Sequence, residues 1–368
     1  MPFEFRGDAR EYFKIWIVNV ALTLLTLGVY SAWAKVRTNR YLYASTFLNG
    51  SNFEYNANPK RILVGRVIIV LFYGLFLLFS DILGMYKVAL FLFIIFLLLL
   101  PWLVRQAIRF RLKSTSYRNI RFSYRGRVRD FYILALMGIF LFGSLLLVVG
   151  ALTTLVRSDF VALLAAFILL ITPFYLGSFL YKRYKELVIN NSYYGKARFN
   201  IELSVREISR LFFKVSLIFL ISSAVIFGVI SGILFGLKLF LNPSAAQWQF
   251  LIGIGGAVSY MIVLAFIKGV SDGYFSNYIR NNTTLEGAPF KGEINEIKLG
   301  FISLSNSLML LFSLGLLYPY AKIRYLREKI ENSYFACSDF ERFEAQFEDS
   351  ISTIGEEAVD FFDIDIGI

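Results

Sequence analysis

The sequence predicts an all-α polytopic membrane protein: three transmembrane helical hairpins, plus two related apolar segments that re-enter the membrane or cross it marginally. Three observations carry this expectation. Hydrophobic residues make up 57% of the 368 positions and charged residues 17%, where soluble chains average roughly 45–50% and about 25%. Apolar blocks long enough to cross about 30 Å of hydrocarbon recur down the chain. Basic residues gather between those blocks rather than inside them. The opening MPFEFRGDAREYFK is polar and mixed in charge, unlike a cleavable leader, so the first apolar stretch is expected to direct the chain into the membrane.

Each of three blocks holds two helices. Residues 62–104 break at Asp81–Lys87, residues 131–181 at Arg157-Ser158-Asp159, and residues 211–267 at Leu241–Gln249, where Asn242-Pro243 marks a turn. Runs this long without alternation favour helix over strand. The linkers between blocks are basic and aromatic, and close at polar clusters: NNSYYGK (190–196), NNTTLEG (281–287) and NSYF (332–335). Asn tolerates the left-handed conformation that ends a helix, so these are expected to be C-caps. A strand-like element follows, FEFRG at 3–7, FSYRG at 122–126 and APFKG at 288–292, with weaker echoes at Phe53–Tyr55 and Phe199. Its alternation has the period of a half-buried strand. This recurrence every roughly 70–90 residues is an internal repeat. It predicts a cytoplasmic collar of small strand-like elements; the plainer alternative is an ordinary headgroup interface rich in aromatic and basic residues.

The two remaining apolar segments, 12–33 and 299–320, carry one motif twice. TLGVYSAWAKVR (26–37) returns as SLGLLYPYAKIR (313–324), at an offset of 287 that also pairs Asn19 with Asn306. With linkers and both termini in the cytoplasm, only Lys87, Arg157 and Lys238 of the 38 Lys and Arg lie outside, leaving 35 within, a positive-inside signal. Single crossings by 12–33 and 299–320 would export Lys322, Arg324, Arg327 and Lys329. A re-entrant path avoids this: two arms of about 10–11 residues, each rising about 16 Å, with a turn at Leu-Gly and the two Asn residues close to it. Irregular backbone at that depth is tolerated where protein or a water cavity surrounds it. The alternative is two ordinary spans that break the charge rule.

The chain has no histidine and one cysteine, Cys337. His-based acid–base chemistry, His metal ligands, Cys–His dyads and intramolecular disulfides are thereby excluded. No phosphate-binding loop or zinc spacing is present. Gly253–Gly256 lies inside an apolar helix, and with Gly269 and Gly273 reads as a helix-packing surface. Lys268 and Asp272, four apart near a span end, are expected to pair. The protein is therefore expected to be no enzyme and to hold no metal or cofactor. The polar residues of the duplicated segments, Asn19, Thr23, Thr26 and Gly28 in one and Asn306, Ser313 and Gly315 in the other, are the candidate intramembrane site. Matched short apolar segments in two halves point to a substrate site in transporters, and hydrogen-bonded glue between helices is the other reading. Lys35, Arg37, Arg40, Lys322, Arg324 and Arg327 are candidate contacts for anionic lipid headgroups.

Residues 1–338, the membrane domain with its repeats, hold 37 Lys/Arg against 16 Asp/Glu; residues 339–368 hold one Arg against 10 acids. This tail spaces Phe340, Phe343, Phe347, Ile351 and Ile354 as an amphipathic helix, with docking on the basic collar as its expected role and partner recruitment or disorder as alternatives. Basic residues flanking apolar spans suit lipid rather than nucleic acid, and self-association stays open.

Together the TLGVYSAWAKVRTNRY boundary, the F-x-F/Y-R/K-G element and the DIDIGI terminus resemble the YjgN family of bacterial inner-membrane proteins, over nearly the whole chain. The resemblance implies a bacterial inner-membrane location and little more, since the family is of unknown function and offers no catalytic residues to carry over. Tyr320 stands where the first copy has Trp33, a conservative change at an interface. The expected function is passage or binding of a small solute or lipid through a pseudo-symmetric core. Its rival is a non-transporting scaffold that holds anionic lipid or protein partners through the collar and tail.

Overall fold

The computed structural model describes residues 1–155, 158–241 and 243–337; the acidic tail from 339 onward and Arg157 lie outside the described residues. Helix and strand alternate in one repeated order. A strand leads into a helix, a second helix returns, and a three-residue strand starts the next turn. The five longer or leading strands are β1 (Phe3–Phe5), β3 (Ser51–Tyr55), β5 (Ile120–Tyr124), β7 (Ala197–Ile201) and β9 (Ala288–Gly292). Their three-residue partners are β2 (Thr46–Leu48), β4 (Thr115–Tyr117), β6 (Ser192–Tyr194), β8 (Thr283–Leu285) and β10 (Ser333–Phe335). The helix pairs between them are α1 (Ala9–Leu25) with α2 (Ser31–Ala44), α3 (Pro59–Leu77) with α4 (Tyr86–Lys113), α5 (Val128–Leu155) with α6 (Asp159–Ile189), α7 (Val205–Leu241) with α8 (Ala245–Asn281), and α9 (Glu296–Phe312) with α10 (Tyr318–Glu331).

The strands join in sequence order into one ten-stranded antiparallel sheet, and its two ends meet. Pro2 bridges Tyr334, the Met1 amino group donates to the Phe335 carbonyl at 2.7 Å, and the Phe335 N–H donates back to the Met1 carbonyl at 2.8 Å. The result is a ring of five hairpin-rooted units, with the fifth hairpin split between β10 and β1. Two-residue loops join β2 to β3 and β4 to β5. Their φ angles are positive at both positions, Asn49 (47°) with Gly50 (76°) and Arg118 (47°) with Asn119 (65°), as a tight hairpin in a right-twisted sheet requires.

The all-α expectation is corrected by this ring. All five strand-like elements are strands, but each pairs with a short partner whose three residues are too few to display alternation. The Asn clusters do supply the C-caps, Asn190, Asn282 and Asn332, but none of the three is left-handed. Asn190 ends its helix at φ −67°, in the right-handed region. A hydroxyl residue stands at the first position of each short strand. Thr46, Thr115, Ser192, Thr283 and Ser333 each donate to the carbonyl four residues back, at 3.0, 3.0, 2.8, 2.6 and 2.7 Å. That bond offers a terminal carbonyl a partner other than the next amide. Asn190 and Asn281 instead reach forward eleven residues. Asn190 accepts from the Ile201 N–H at 2.6 Å and donates to its carbonyl at 3.2 Å; Asn281 treats Gly292 the same way at 2.7 and 3.3 Å.

Side chains of Phe3, Phe53, Phe122, Phe199 and Phe290, one per unit, form a layer inside the ring, with Phe3–Phe53, Phe122–Phe199 and Phe199–Phe290 centroids 6.3, 6.2 and 6.1 Å apart. Opposite each in register stands Leu48, Tyr117, Tyr194, Leu285 or Phe335, all buried. Filling a ring's interior with large apolar residues is how small barrels are stabilised, and aromatic pairs add about 0.5–1.5 kcal/mol each beyond their buried area.

Six helices, α3 to α8, are long and apolar enough to cross a membrane, and the apolar stretches qualifying them are at most 17% buried within the protein. Their apolar side chains face outward, as those of helices within a bilayer do. The other four helices are short and nearly equal in pairs, 17 and 14 residues in each, or about 25 and 21 Å. The 37 residues of α7 and α8 reach about 55 Å by the same measure. Both short pairs reverse at Leu-Gly, with Leu27 and Gly28 at φ 49° and 93° and Leu314 and Gly315 at 50° and 85°. The arms are longer than the 10–11 residues expected because each is rooted in the ring. Both copies of the duplicated boundary therefore return to the ring.

Candidate functional site

The polar residues of the duplicated segments all have structural partners. Asn19 is buried midway along α1 and its amide donates to the Ala34 carbonyl and the Thr38 hydroxyl, both at 3.4 Å. Asn306 donates to the Ala321 carbonyl at 2.9 Å, the same fifteen-residue reach in the second copy. Both lie well below the turn, where they tie one arm to the other. Thr23 donates to the Asn19 carbonyl at 2.6 Å. Thr26 accepts from the Tyr30 N–H at 2.9 Å, and Ser313 from the Leu317 N–H at 3.2 Å, so each hydroxyl closes the reversal that Gly28 or Gly315 makes. None of these side chains lines the cavity of about 460 Å³ described below. The Oδ1 atoms of Asn19 and Asn306 are buried without a partner among the described residues.

The candidate headgroup contacts divide in two. Arg37, Arg40, Arg324 and Arg327 are exposed; Lys35 and Lys322 are half-buried. Arg324 donates to the Ser305 hydroxyl at 2.8 Å and Arg327 to the Gly7 carbonyl at 2.9 Å. Lys322 instead lines a cavity of about 460 Å³ that lies between the ring and the helix roots.

Beside this cavity stands an ion-pair cluster that sequence spacing did not reveal. Asp272 pairs not with Lys268, as expected, but with Lys329 of α10, whose ammonium lies 2.9 and 2.7 Å from the two carboxylate oxygens. The Tyr325 hydroxyl adds a bond to the same carboxylate at 2.5 Å and Ser276 another at 3.2 Å. Burial, then the hydrogen bond to this carboxylate and its charge, push the Tyr325 phenol well above its ordinary pKa. The helices can approach because of glycine. A Cβ on Gly269 would lie 2.3 Å from the Leu299 carbonyl oxygen, and one on Gly273 2.9 Å from the Glu296 Cα. Gly255 plays the same part against Leu234 of α7.

The strand alignment expected from the sequence is corrected at one unit. Matching APFKG to FEFRG and FSYRG sets Gly292 level with Gly7 and Gly126, yet Gly292 pairs with Ser333 as Phe5 pairs with Thr46 and Tyr124 with Ser192. Gly292 thus occupies the position of Phe5 and Tyr124, two residues from the place its motif suggests. Alternation of period two looks the same after a shift of two.

Six long lipid-facing helices and two short hairpins rooted in one β-ring define a multi-pass membrane protein. The chain belongs to the family described as "Bacterial protein of unknown function (DUF898)", which it matches over residues 1–361. It is 34% identical over 130 residues to the inner membrane protein YjgN of Escherichia coli (strain K12), a match covering 35% of this chain and 32% of that protein. To the Salmonella typhimurium protein of the same name it is 25% identical over 217 residues, 56% of this chain and 53% of the relative. The matched stretches thus span about a third to a half of the relatives' length. No solved structure matches the chain.

Proposed function

We propose that the protein is a non-enzymatic inner-membrane protein, ring and both ends in the cytoplasm, that binds and moves a small solute or lipid along one side of its helical wall. The observation that carries this reading is the inequality of the hairpins. The short pairs are neighbours, with α1 packed on α10, and the long helices α3 and α8 stand on either side of them. A notch in the outer half of the wall follows, open to lipid above Leu27 and Leu314, which are 96% and 92% exposed. The charge bias supports the orientation, and the short pairs then dip into the membrane and return. The packed aromatic layer argues for lateral entry rather than a path down the ring's axis.

That same layer favours the second reading, a scaffold whose exposed Arg37, Arg40, Arg324 and Arg327 hold anionic headgroups. Reconstitution into liposomes separates the two. Movement of a labelled phospholipid or of any solute in a broad panel supports the first reading. Its absence across lipids and solutes, with protein correctly inserted, leaves the scaffold.

A further inference from the structure

The five units are alike, and the fifth departs from the others in two places that touch. The last residue of the leading strand is large in four units, Phe5, Tyr55, Tyr124 and Ile201, and is Gly292 in the fifth. Three residues before the hydroxyl that opens each short strand the chain has Tyr43, Leu112, Ile189 and Ile330, but Arg280 ahead of Thr283. A Cβ on Gly292 would lie 2.9 Å from Asn277 Oδ1, 3.1 Å from Asn277 Cα and 3.3 Å from Arg280 Cδ, so the missing side chain lets the strand lie close against α8 at both residues.

Among the described residues Arg280 has no counter-ion of its own. Its Nη1 is sealed from solvent and bonds nothing there. The carboxylate whose field reaches it is Asp272, already committed to Lys329, Tyr325 and Ser276. Arg280 and Lys322 both line the 460 Å³ cavity, whose other described walls include Phe53, Phe290, Leu326 and Ile330 and no acid. A half-buried guanidinium with one nitrogen sealed and unbonded is costly; two cations at the edge of an aromatic hollow match an anion with an apolar body.

We propose that this cavity binds an anionic amphiphile, its phosphate or carboxylate head held by Arg280 and Lys322 and its apolar part lying against Phe53 and Phe290. The site gives the solute-or-lipid reading above a chemical class and rests on it for its place in a route; binding is measured apart from flux, so either can fail alone.

The test uses the full chain, delipidated in a neutral maltoside detergent, with unfolding temperature followed as dodecyl phosphate, dodecanol or inorganic phosphate is added. Dodecyl phosphate is expected to raise the unfolding temperature of the wild type, and the headless and tailless probes to do far less. Arg280→Gln and Lys322→Gln should each need about tenfold or more dodecyl phosphate for the same shift. Without ligand, Arg280→Gln should melt at or above the wild-type temperature, because it removes an uncompensated charge. An equal shift from dodecanol, an unchanged response in both variants, or a ligand-free Arg280→Gln protein that melts well below wild type overturns the proposal. Native mass spectrometry from nanodiscs of phosphatidylcholine with phosphatidylglycerol then identifies the source. Phosphatidylglycerol retained by wild type and lost from Arg280→Gln marks a bilayer lipid; dodecyl phosphate binding without retained lipid marks a water-soluble amphiphile. Failure of both rejects the site.

Discussion

Met1 and Phe335, 334 residues apart, exchange two backbone hydrogen bonds, at 2.7 and 2.8 Å. That exchange turns a row of five similar units into a closed ring, and it explains why so short a set of strands is stable. Isolated hairpins of three and five residues are marginal in water, whereas a closed ring leaves no open edge. Cysteines at Pro2 and Tyr334, the bridged pair, in a Cys337→Ser background, should form a disulfide under mild oxidation. A reduced-like mobility on a non-reducing gel, under conditions that oxidise a control pair across β4 and β5, would mean an open ring.

Asn190 and Asn281 each hold both backbone groups of a ring residue. Replacing either with Ala leaves a half-buried N–H and carbonyl without that partner, at a cost of about 1–3 kcal/mol. Asn190→Asp keeps the acceptor and loses the donor, so it should fall between wild type and Asn190→Ala in unfolding temperature. Equal stability of all three proteins would show that the clip carries no weight.

Glycine should matter for different reasons at two places. Gly28, at φ 93°, has nothing within 4 Å of a built Cβ, so Gly28→Ala costs only the left-handed conformation, about 1–2 kcal/mol. Gly269→Ala drives a methyl into the Leu299 backbone of α9, and overpacking of this kind costs typically about 1–3 kcal/mol, occasionally more. Unfolding in detergent should rank Gly269→Ala as the more damaging change. The reverse ranking would contradict the close contact of α8 with α9.

Asp272 and Lys329 are linked by 2.7 and 2.9 Å contacts. Asp272→Asn strands the partly buried Lys329 ammonium, and breaking a buried pair this way costs about 3–5 kcal/mol; the pair is about a third exposed at Asp272, so the lower end or below is expected. Combining Asp272→Asn with Lys329→Met should recover much of the loss. A double variant no more stable than the single one would place the damage elsewhere than in the ion pair.

Much of this arrangement was legible in the sequence because it repeats. Apolar runs located the six long helices, and the TLG and SLG boundaries located the reversals at Leu27-Gly28 and Leu314-Gly315. The five aromatic strand elements were visible because Phe3, Phe53, Phe122, Phe199 and Phe290 keep period-two alternation. The short partner strands were hidden: their signal is one hydroxyl, such as Thr46 or Ser333, followed two residues later by Leu48 or Phe335. The register of APFKG was hidden because a two-residue slip preserves the alternating pattern. Asp272 met a lysine 57 residues away rather than its neighbour Lys268, a choice made by packing between helices. Arg280 stands out only once Tyr43, Leu112, Ile189 and Ile330 are known to be its counterparts.

Every hairpin is rooted in one ring, which puts all the ring turns on one side of the membrane. Single cysteines at the ring turns Gly50, Asn119, Lys196 and Gly287, and at the far turns Gly84 and Ser158, in a Cys337→Ser background, test it with an impermeant maleimide on spheroplasts. All four ring turns should stay unlabelled until the membrane is permeabilised, while Gly84→Cys and Ser158→Cys react in intact cells. Labelling of Gly50→Cys or Gly287→Cys in intact spheroplasts, with Asn119→Cys and Lys196→Cys still protected, would mean that the short segments cross the membrane and that the ring does not exist.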